Sequence, residues 1–510
     1  MNRNNIWIHV GLAVVLVTIA AVLGQIERWK AAISSSDISQ QTQIERHSND
    51  DPIVKKSSPE VLVRFKHGVS LAQIRDIASV NNDSLSDEIE AVDGLTVIDD
   101  LDNADAQTVA SQYAAMSDFV AYAEPNYKIK LDDPDQTESP RDLLLRLPSE
   151  YPSTRPNDPQ FDEQWALNNF GQESGKERAD IDALEAWQTT KGSEDVVVAV
   201  LDTGVDFTHV DLRGNMWIRP ENVPAYSDDE LGPFNDINGY NGTDSIADPM
   251  DDNGHGTHCA GIIGAEGDNG EGIAGINWHV KIMPLKFLGR GGFGSVDDAI
   301  EAINYAIDRK EHGVNIRIIS ASWGSTQKSK ALEDTIRAAG EAGILFVAAA
   351  GNDGSNNDRR AHYPSNYDLP NIISVAALDR NDQLAGFSNF GVKSVHIAAP
   401  GKDILSTWLG DNYREASGTS MATPYVSGVA ALVIANEPKI SIEKLRDRIL
   451  KTADKLDSLN GKVATGGRVC AANALAGRVV GHQQKSTDGT VERVNDWQHK
   501  IDDLEQSVRR

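Results

Sequence analysis

Three short blocks of the sequence contain side chains that together could carry out nucleophilic chemistry. In VAVLDTGVD (198–206) an apolar run leads directly into Asp202, which places that carboxylate where a buried strand would end. In NGHGTHCAG (253–261) glycines flank His255 on both sides, and glycine allows another backbone to approach closely. In SGTSMATP (417–424) Ser420 opens an apolar helical stretch, and amides in the first turn of a helix can bind an anion. Pro424 is expected within or near that first turn, where a missing amide is tolerated.

Each block alone has an ordinary structural explanation. Asp202 could form a turn before Gly204, His255 could cap a helix, and Ser420 could be a helix N-cap. Together they have a chemical explanation. A serine hydroxyl is a poor nucleophile at neutral pH and needs a base, and an imidazole has a pKa close to neutrality. A carboxylate beside the imidazole fixes its tautomer and stabilises the cation that forms. The three residue types therefore indicate acyl transfer.

The elements that would position these residues begin at residue 157. Five apolar runs are typical of strands buried on both faces: 196–201, 280–287, 316–320, 344–350 and 372–377. Four segments between them have helical spacing: 255–264, 296–309, 328–342 and 420–436. This alternation predicts a doubly wound α/β domain, with a mostly parallel sheet, helices on both faces and an end near residue 480. Ligand sites in such sheets lie at the carboxyl ends of the strands, where Asp202 is expected.

The DTG, HGTH and GTSMATP blocks, in the order Asp, His, Ser, resemble those of the subtilisin-like serine proteases over residues 157–480. The resemblance implies that Ser420 attacks the scissile carbonyl while His255 acts as its base. It also implies an oxyanion hole in which Asn352 donates its side-chain amide and Ser420 its backbone amide. A turn preceding Asp353 is the alternative explanation of Asn352.

The resemblance further implies that a substrate peptide binds as an added strand between two segments of the enzyme. Small residues in these segments predict a roomy, mostly apolar first specificity pocket, with Trp323 narrowing the neighbouring subsites. Asp353, near the pocket mouth, could favour a basic P1 side chain, the one on the acyl side of the scissile bond. The residues expected to bind substrate are Ser322, Trp323, Gly324, Ala349, Ala350 and Gly351.

Residues 59–131 form a separate small unit. Strand-like runs at 61–65, 95–98 and 119–122 and helical spacing at 71–80 and 104–116 predict an α+β module close to a split βαβ, ferredoxin-like arrangement. With YAEPNY (122–127) after its last apolar strand, the module resembles the inhibitory propeptide of the same family. An unrelated α+β domain is the alternative. Residues 132–156, polar and without periodicity, are expected to be a linker in which processing occurs, at a point between 128 and 157.

The two ends of the chain differ from the rest. Residues 6–23 are almost wholly apolar and follow a basic Arg3, which predicts a cleaved signal peptide within 1–24 or a retained membrane anchor; a buried helix is the alternative. Residues 25–58 are polar and expected to be a linker. Residues 481–510 form a hydrophilic tail in which Trp497, Ile501, Leu504 and Val508 share one helical face.

Composition limits the classes of function. The 510 residues include 48 Lys and Arg against 76 Asp and Glu, a net charge of −28 that disfavours a nucleic-acid partner. With 40% hydrophobic and 24% charged residues, the chain is neither disordered, collagenous nor a polytopic membrane protein. Two cysteines exclude a disulfide scaffold, and the family resemblance argues against pairing Cys259 with Cys470.

Structural calcium is the cofactor that the resemblance implies. Asp158, Asp211 and Asn269 would give side-chain oxygens, and Glu271 and Ile273 would give carbonyls, which suits a hard cation. A second acidic group could bind another ion or be a solvated surface: Asp248, Asp251 and Asp252. Zinc is disfavoured because the chain lacks the HExxH motif; its ligands would be His255, His258 and Cys259.

The leading hypothesis is a secreted or periplasmic, monomeric serine endopeptidase that acts on protein or peptide substrates. It would work through an acyl-enzyme and be made as an autoprocessed zymogen whose propeptide is an intramolecular inhibitor. A non-catalytic binding scaffold is a second hypothesis. A maturation protease anchored by residues 6–23, with its protease domain outside the cytoplasm, is a third.

Overall fold

The computed structural model describes residues 60–131, 154–228, 232–233, 236–243 and 248–479. The predicted leader, the first linker, most of the second linker and the C-terminal tail lie outside these residues. Among the described residues, no helix is both long enough and apolar enough to cross a membrane.

The N-terminal module contains a four-stranded antiparallel sheet in the order β2-β3-β1-β4. This order interleaves two βαβ units, which is a split βαβ arrangement. Side chains of β1 alternate between the two helices of the module and the opposite face of its sheet. The elements are β1 (Glu60–Phe65), α1 (Leu71–Val80), β2 (Asp83–Glu88), β3 (Leu95–Asp100), α2 (Ala106–Ala115), β4 (Val120–Pro125) and β5 (Lys128–Lys130).

The larger domain is built on a nine-stranded sheet in the order β18-β19-β15-β14-β13-β12-β6-β10-β9, parallel except for its last pair at β18. Its helices are α3 (Ala183–Ala186), α4 (His255–Gly264), α5 (Val296–Glu311), α6 (Lys330–Glu341), α7 (Thr419–Asn436), α8 (Ile442–Lys451) and α9 (Ala471–Ala476). Its strands are β6 (Gly192–Asp202), β7 (Ser227–Asp228), β8 (Gly232–Pro233), β9 (Tyr240–Asn241), β10 (His279–Lys286), β11 (Phe293–Ser295), β12 (Ile316–Ala321), β13 (Leu345–Ala349), β14 (Ile372–Leu378), β15 (Ile397–Pro400), β16 (Ile404–Trp408), β17 (Asn412–Ala416), β18 (Asp454–Lys455) and β19 (Gly467–Arg468).

Strand β6 is buried on both faces of the large sheet. Val196, Val198 and Val200 belong to an apolar cluster that contains α4 and α7, while the intervening residues belong to a second cluster with α5 and α6. This alternation follows from the two-residue period of a strand and explains the continuous apolar run in the sequence. The predicted doubly wound fold, with helices on both faces, is confirmed.

Three neighbouring parallel strands bring the predicted site together. Strand β6 ends at Asp202, β12 is followed by Ser322, and β13 by the segment that ends at Asn352. Because the carboxyl ends of parallel strands share one edge, these residues lie on the same side of the sheet.

Candidate active site

Glycines allow His255 to approach the end of β6. Helix α4 begins at His255, directly after Gly254 in the left-handed conformation (φ 108°). A Cβ on Gly256 would lie only 2.0 Å from the carbonyl oxygen of Gly204, so a larger residue would push the helix away from the turn after β6. In this position the Nδ1 atom of His255 lies 2.7 Å from Oδ1 of Asp202.

The Asp202–His255 hydrogen bond fixes the tautomer of the imidazole. Both side chains are buried, and Asp202 Oδ1 also accepts the amide of Thr203 at 2.7 Å. An ionised carboxylate can only accept, so Nδ1 of His255 carries the proton and Nε2 keeps its lone pair. This tautomer is the one that can remove a proton from a hydroxyl group.

Asp251 supports this pair, and sequence reasoning missed its role. One of its oxygens accepts the hydroxyl of Thr203 at 2.9 Å and the amide of Gly254 at 3.0 Å; the other accepts the hydroxyl of Thr257 at 2.6 Å. The buried carboxylate thus caps the start of α4 and ties it to the residue after Asp202. The sequence feature that could have indicated this role was an Asp shortly before a helix; the sequence analysis considered Asp251 only as a cation ligand or as part of a solvated surface.

Ser420 is not a helix cap. Helix α7 begins at Thr419, and its N-cap is Gly418, which has no side chain to donate or accept. Ser420 therefore lies inside the first turn, and its hydroxyl donates to the carbonyl of Ser322 at 2.9 Å. The N-cap interpretation of Ser420 is wrong.

Pro424 is the sixth residue of α7 rather than a first-turn residue. Proline has no amide hydrogen, so the carbonyl of Ser420, four residues earlier, loses its usual helical donor. That carbonyl instead accepts the hydroxyl of Ser322 at 2.7 Å and the thiol of Cys259 at 3.6 Å. Ser322 and Ser420 therefore exchange two hydrogen bonds, which fasten the end of β12 to the start of α7.

Asn352 is held by the same helix terminus. Its Oδ1 atom accepts the backbone amide of Thr419 at 2.8 Å and the hydroxyl of Thr419 at 3.1 Å. Because Oδ1 is engaged, Nδ2 lies on the opposite side of the amide group. A Cβ built on Gly418 would lie 3.5 Å from Nδ2. The threonine hydroxyl also accepts the amide of Gly351 at 3.1 Å. An amide donor is thus fixed next to the first turn that contains Ser420.

The residues expected to bind substrate follow β12 and β13. Trp323 is buried and packs on Phe287, with ring centroids 4.7 Å apart. At Ala350 the amide donates to Val375 at 3.0 Å, and the carbonyl accepts the side-chain amides of Asn357 and Asn389 at 2.8 and 3.0 Å. The amide and the carbonyl of Ala350 are therefore both engaged within the domain, and its role in substrate binding stays a prediction.

The strand partner that sequence reasoning missed is β11. Strand β5 of the module pairs antiparallel with Phe293–Ser295, and the amide of Leu131 donates to the carbonyl of Gly292 at 2.9 Å. The available signal was the glycine-rich run 289–294, since a Cβ on Gly294 would lie 2.3 Å from the carbonyl oxygen of Phe287. An extended chain therefore binds along this edge of the domain.

The predicted calcium ligands come together from three distant stretches. Asp158 and Asp211 are buried, and Asp211 accepts the side-chain amide of Asn269 at 2.8 Å and the amide of Ile273 at 2.9 Å. Burial, with the charge of Asp211 nearby, raises the pKa of Asp158 to about 6. Oδ1 of Asp158 is buried without a hydrogen-bond partner. A buried carboxylate oxygen without a hydrogen-bond partner, near a second carboxylate, fits a cation.

Glu271 lies in the same loop as these ligands. Its side chain is exposed, and its amide donates to Oδ1 of Asn269 at 2.8 Å. The hydrogen bond from Glu271 to Asn269 keeps the backbone of the loop beside Asp211, as a carbonyl ligand from Glu271 would require.

The second acidic group does not converge on one point. Asp251 is occupied by the helix terminus described above. Asp252 pairs with the ammonium group of Lys286 at 2.7 Å, and Asp248 accepts the amide of Met250 at 3.1 Å.

Of the three residues considered for zinc, His255 and Cys259 lie close together, but His258 is not part of their group. Nε2 of His258 lies 3.0 Å from the carbonyl oxygens of both Ile404 and Arg414, and burial lowers the pKa of this histidine to about 3. The ligand atoms of Asp202, His255 and Cys259 do lie within 4.8 Å of one another, but the hydrogen bonds given above account for that arrangement. Cys259 and Cys470 do not form a disulfide with each other, in agreement with the family resemblance.

Comparison with known proteins gives consistent matches. Residues 193–484 match the family model described as the subtilase family. The chain is 40% identical over 290 residues to a thermophilic serine proteinase of Bacillus sp. (strain AK1), covering 57% of this chain but only 64% of that protein. It is 35% identical over 320 residues to thermitase of Thermoactinomyces vulgaris, covering 63% of this chain and 99% of thermitase.

Among solved structures, fervidolysin from Fervidobacterium pennivorans is similar in fold. It aligns with a TM-score of 0.64 at 24% identity, covering 85% of this chain and 63% of that one.

Proposed function

The chain belongs to the subtilase family, and from that premise we propose that it hydrolyses peptide bonds as a serine endopeptidase. The observation that carries the proposal is the 2.7 Å hydrogen bond between buried Asp202 and His255, at the sheet edge that also holds Ser420 and Asn352.

Each group has a defined task in the proposed reaction. The hydroxyl of Ser420 leaves the carbonyl of Ser322, gives its proton to Nε2 of His255 and attacks the scissile carbonyl carbon. The amide of Asn352 and the backbone amide of Ser420 donate to the oxyanion that develops. The imidazolium then protonates the leaving amine as the C–N bond breaks, which leaves an acyl-enzyme. Water, deprotonated by His255, releases the acid and restores the serine.

We further propose that the module at 59–131 is an inhibitory propeptide. The carboxylate of Glu124 accepts the hydroxyl of Ser329 at 2.6 Å and the amides of Lys330 and Ala331 at 2.9 and 3.1 Å, so the module caps α6 of the larger domain. Arg64 of the module forms an ion pair with Asp334 on the same helix.

The pairing of β5 with β11 supports the same role. It is the geometry in which an extended peptide adds to an exposed strand. Since 128–130 are held in this ladder, we place the processing point after Leu131 and before residue 157. The enzyme would then be an autoprocessed zymogen.

Two further features complete the proposal. Calcium bound by Asp158, Asp211, Asn269 and the carbonyls of Glu271 and Ile273 would neutralise two buried carboxylates and join three chain segments. The apolar segment 6–23 supports export, either as a cleaved signal or as an anchor that keeps the protease outside the cytoplasm.

The test is labelling with a fluorophosphonate probe, which reacts with an activated serine. The wild-type protein should be labelled and should mature, whereas Ser420→Ala should remain unlabelled and accumulate as an uncut precursor. Ser427→Ala is the matched control, because this buried serine lies on the same helix and bonds to Ser320 at 2.9 Å. An unlabelled wild-type protein would instead favour the non-catalytic scaffold.

A further inference from the structure

His362 lies between the two segments expected to line the first specificity pocket. A Cβ on Gly324 would lie 2.0 Å from Cε1 of this ring, and a Cβ on Gly351 would lie 2.9 Å from its Cδ2. Gly324 ends the segment after β12, and Gly351 immediately precedes Asn352. The imidazole of His362 therefore packs against both segments, which we call the two walls of the pocket.

Both walls are fastened to the helix terminus that carries Ser420. Ser322 donates to the carbonyl of Ser420 at 2.7 Å, and the amide of Gly351 donates to the hydroxyl of Thr419 at 3.1 Å. The ring of His362 consequently lies between two segments that both bind the first turn of α7, which carries Ser420.

The backbone holds the ring in place. The carbonyl of His362 accepts the hydroxyl of Ser365 at 2.7 Å and the amide of Asn366 at 2.9 Å. The next residue, Tyr363, exchanges two hydrogen bonds of 2.7 Å with Ser325, which follows Gly324. His362 is only 3% exposed, so its ring is part of the packed wall rather than a mobile surface group.

The structural role of Gly324 and Gly351 therefore differs from the role expected from the sequence. Small residues at 324 and 351 predicted a roomy pocket, but the volume they leave is filled by the imidazole. We propose that His362 forms the floor of the first specificity pocket and restricts the P1 residue to small side chains such as Gly, Ala or Ser. This inference rests on the proposed peptidase function and names the substrate class of that site.

The test is a series of peptide p-nitroanilides that differ only at P1, with Ala, Leu, Phe, Glu or Lys. Fitting or rejecting a few methylene groups in a pocket changes kcat/KM by about 10–200-fold. We therefore expect the wild-type enzyme to prefer Ala over Phe by at least about tenfold. His362→Gly should raise the Phe to Ala ratio of kcat/KM by a similar factor, mainly by accepting Phe.

His396→Ala serves as the control for loss of a histidine. His396 accepts the amide of Ser374 at 2.9 Å and belongs to neither wall, so this variant should keep the wild-type ratio. The wild-type series alone also tests the proposal, should His362→Gly fail to fold. A wild-type preference for Phe, Leu, Glu or Lys would overturn the inference, and preference for Lys would favour a role for Asp353.

Different experimental results would overturn the role of His362 and the proposed peptidase function. Hydrolysis of the series with an unchanged P1 ratio in His362→Gly overturns only the role of His362. Absence of hydrolysis for every substrate, together with no fluorophosphonate labelling, overturns the peptidase function and this inference with it.

Discussion

The hydroxyl of Thr419 joins two parts of the site. It donates to Oδ1 of Asn352 at 3.1 Å and accepts the amide of Gly351 at 3.1 Å. Because the oxygen of the Asn352 amide accepts from Thr419, the orientation of this side chain is set before any substrate binds. Such preorganisation is what makes a donor effective toward a developing oxyanion, since no reorientation is needed during the reaction.

Replacing Asn352 tests this assignment. Asn352→Leu should fold normally, because the residue is only partly buried, but should lose about 10²–10³ in kcat, the loss found on removing such a donor from a subtilisin. KM should change little, since the interaction forms mainly in the transition state. The measurement is steady-state kinetics on the Ala substrate.

Asn315→Leu is the control for this change. That side chain is exposed and donates to the carbonyl of Asp195 at 2.7 Å, beside the opposite ends of the strands. Its kcat should equal that of the wild type. Near-normal turnover in Asn352→Leu would exclude Asn352 as an oxyanion donor and favour the turn interpretation.

For helices and strands, the degree of burial determined which elements could be predicted from the sequence. The predicted strands at 196–201 and 372–377 correspond to β6 and β14, because strands covered on both faces are continuous apolar runs. Helix α4 matches its predicted bounds of 255–264 for a similar reason, since all its residues are buried. The positions of Asp202 and His255 followed from β6 and α4, whereas the role of Asn352 was inferred from the family resemblance.

Two of the strands that sequence reasoning missed lack an apolar pattern. Strand β2 has the sequence DSLSDE, and Asp83 is buried there because it accepts the hydroxyl of Tyr113 at 2.7 Å. Strand β11 is short and contains glycine, so it forms only because β5 pairs with it. His362 has no local signal at all, since its position matters only through Gly324 and Gly351, which are distant in sequence.

The cap that Glu124 places on α6 makes a prediction about latency. Glu124→Ala leaves three donors of that helix terminus without their acceptor, and loss of a cap costs about 0.5–2 kcal/mol. The module should then dissociate about 2- to 30-fold faster from the processed enzyme, because 1.4 kcal/mol is a factor of ten. The lag before full activity of freshly processed enzyme should shorten accordingly.

Asp76→Ala is the matched control for the latency experiment, since Asp76 is an exposed acidic residue of the same module. Its lag should equal that of the wild type. An unchanged lag in Glu124→Ala, with normal yield of processed enzyme, would mean that this cap does not contribute to inhibition.

At the scale of the whole molecule, the module and the larger domain share one apolar cluster. Leu62 and Ile129 of the module belong to the same cluster as Trp323 and Phe287 of the larger domain. The module therefore contributes apolar contacts to the larger domain as well as the ladder at β11, and burial of apolar surface is the main favourable term in such an association. If the module is released after the proposed processing, these contacts are lost, and the mature enzyme depends more on its remaining internal links.

The proposed calcium site would be one such link, and its contribution can be measured. It joins Asp158, Asp211 and the loop at Asn269, which are far apart in sequence. A cation that binds only the folded chain stabilises it by RT ln(1 + [L]/Kd), about 2.7 kcal/mol at a hundredfold excess over Kd. Thermal unfolding should be measured in a Ser420→Ala background, where autolysis is absent. Excess calcium should raise the melting temperature of this protein relative to the chelated sample.

Asp211→Asn keeps the shape of the side chain but removes its charge, so its melting temperature should be low and nearly insensitive to calcium. Asp447→Asn removes a surface partner of Lys451 at 2.6 Å and should respond to calcium as the parent does. Equal responses of the parent and Asp211→Asn would exclude Asp211 as a ligand. In the active enzyme, chelation should shorten the half-life at elevated temperature while leaving initial turnover nearly unchanged, because the ligand group contains none of the residues that act on substrate. Immediate loss of turnover on chelation would mean that the metal takes part in the reaction itself.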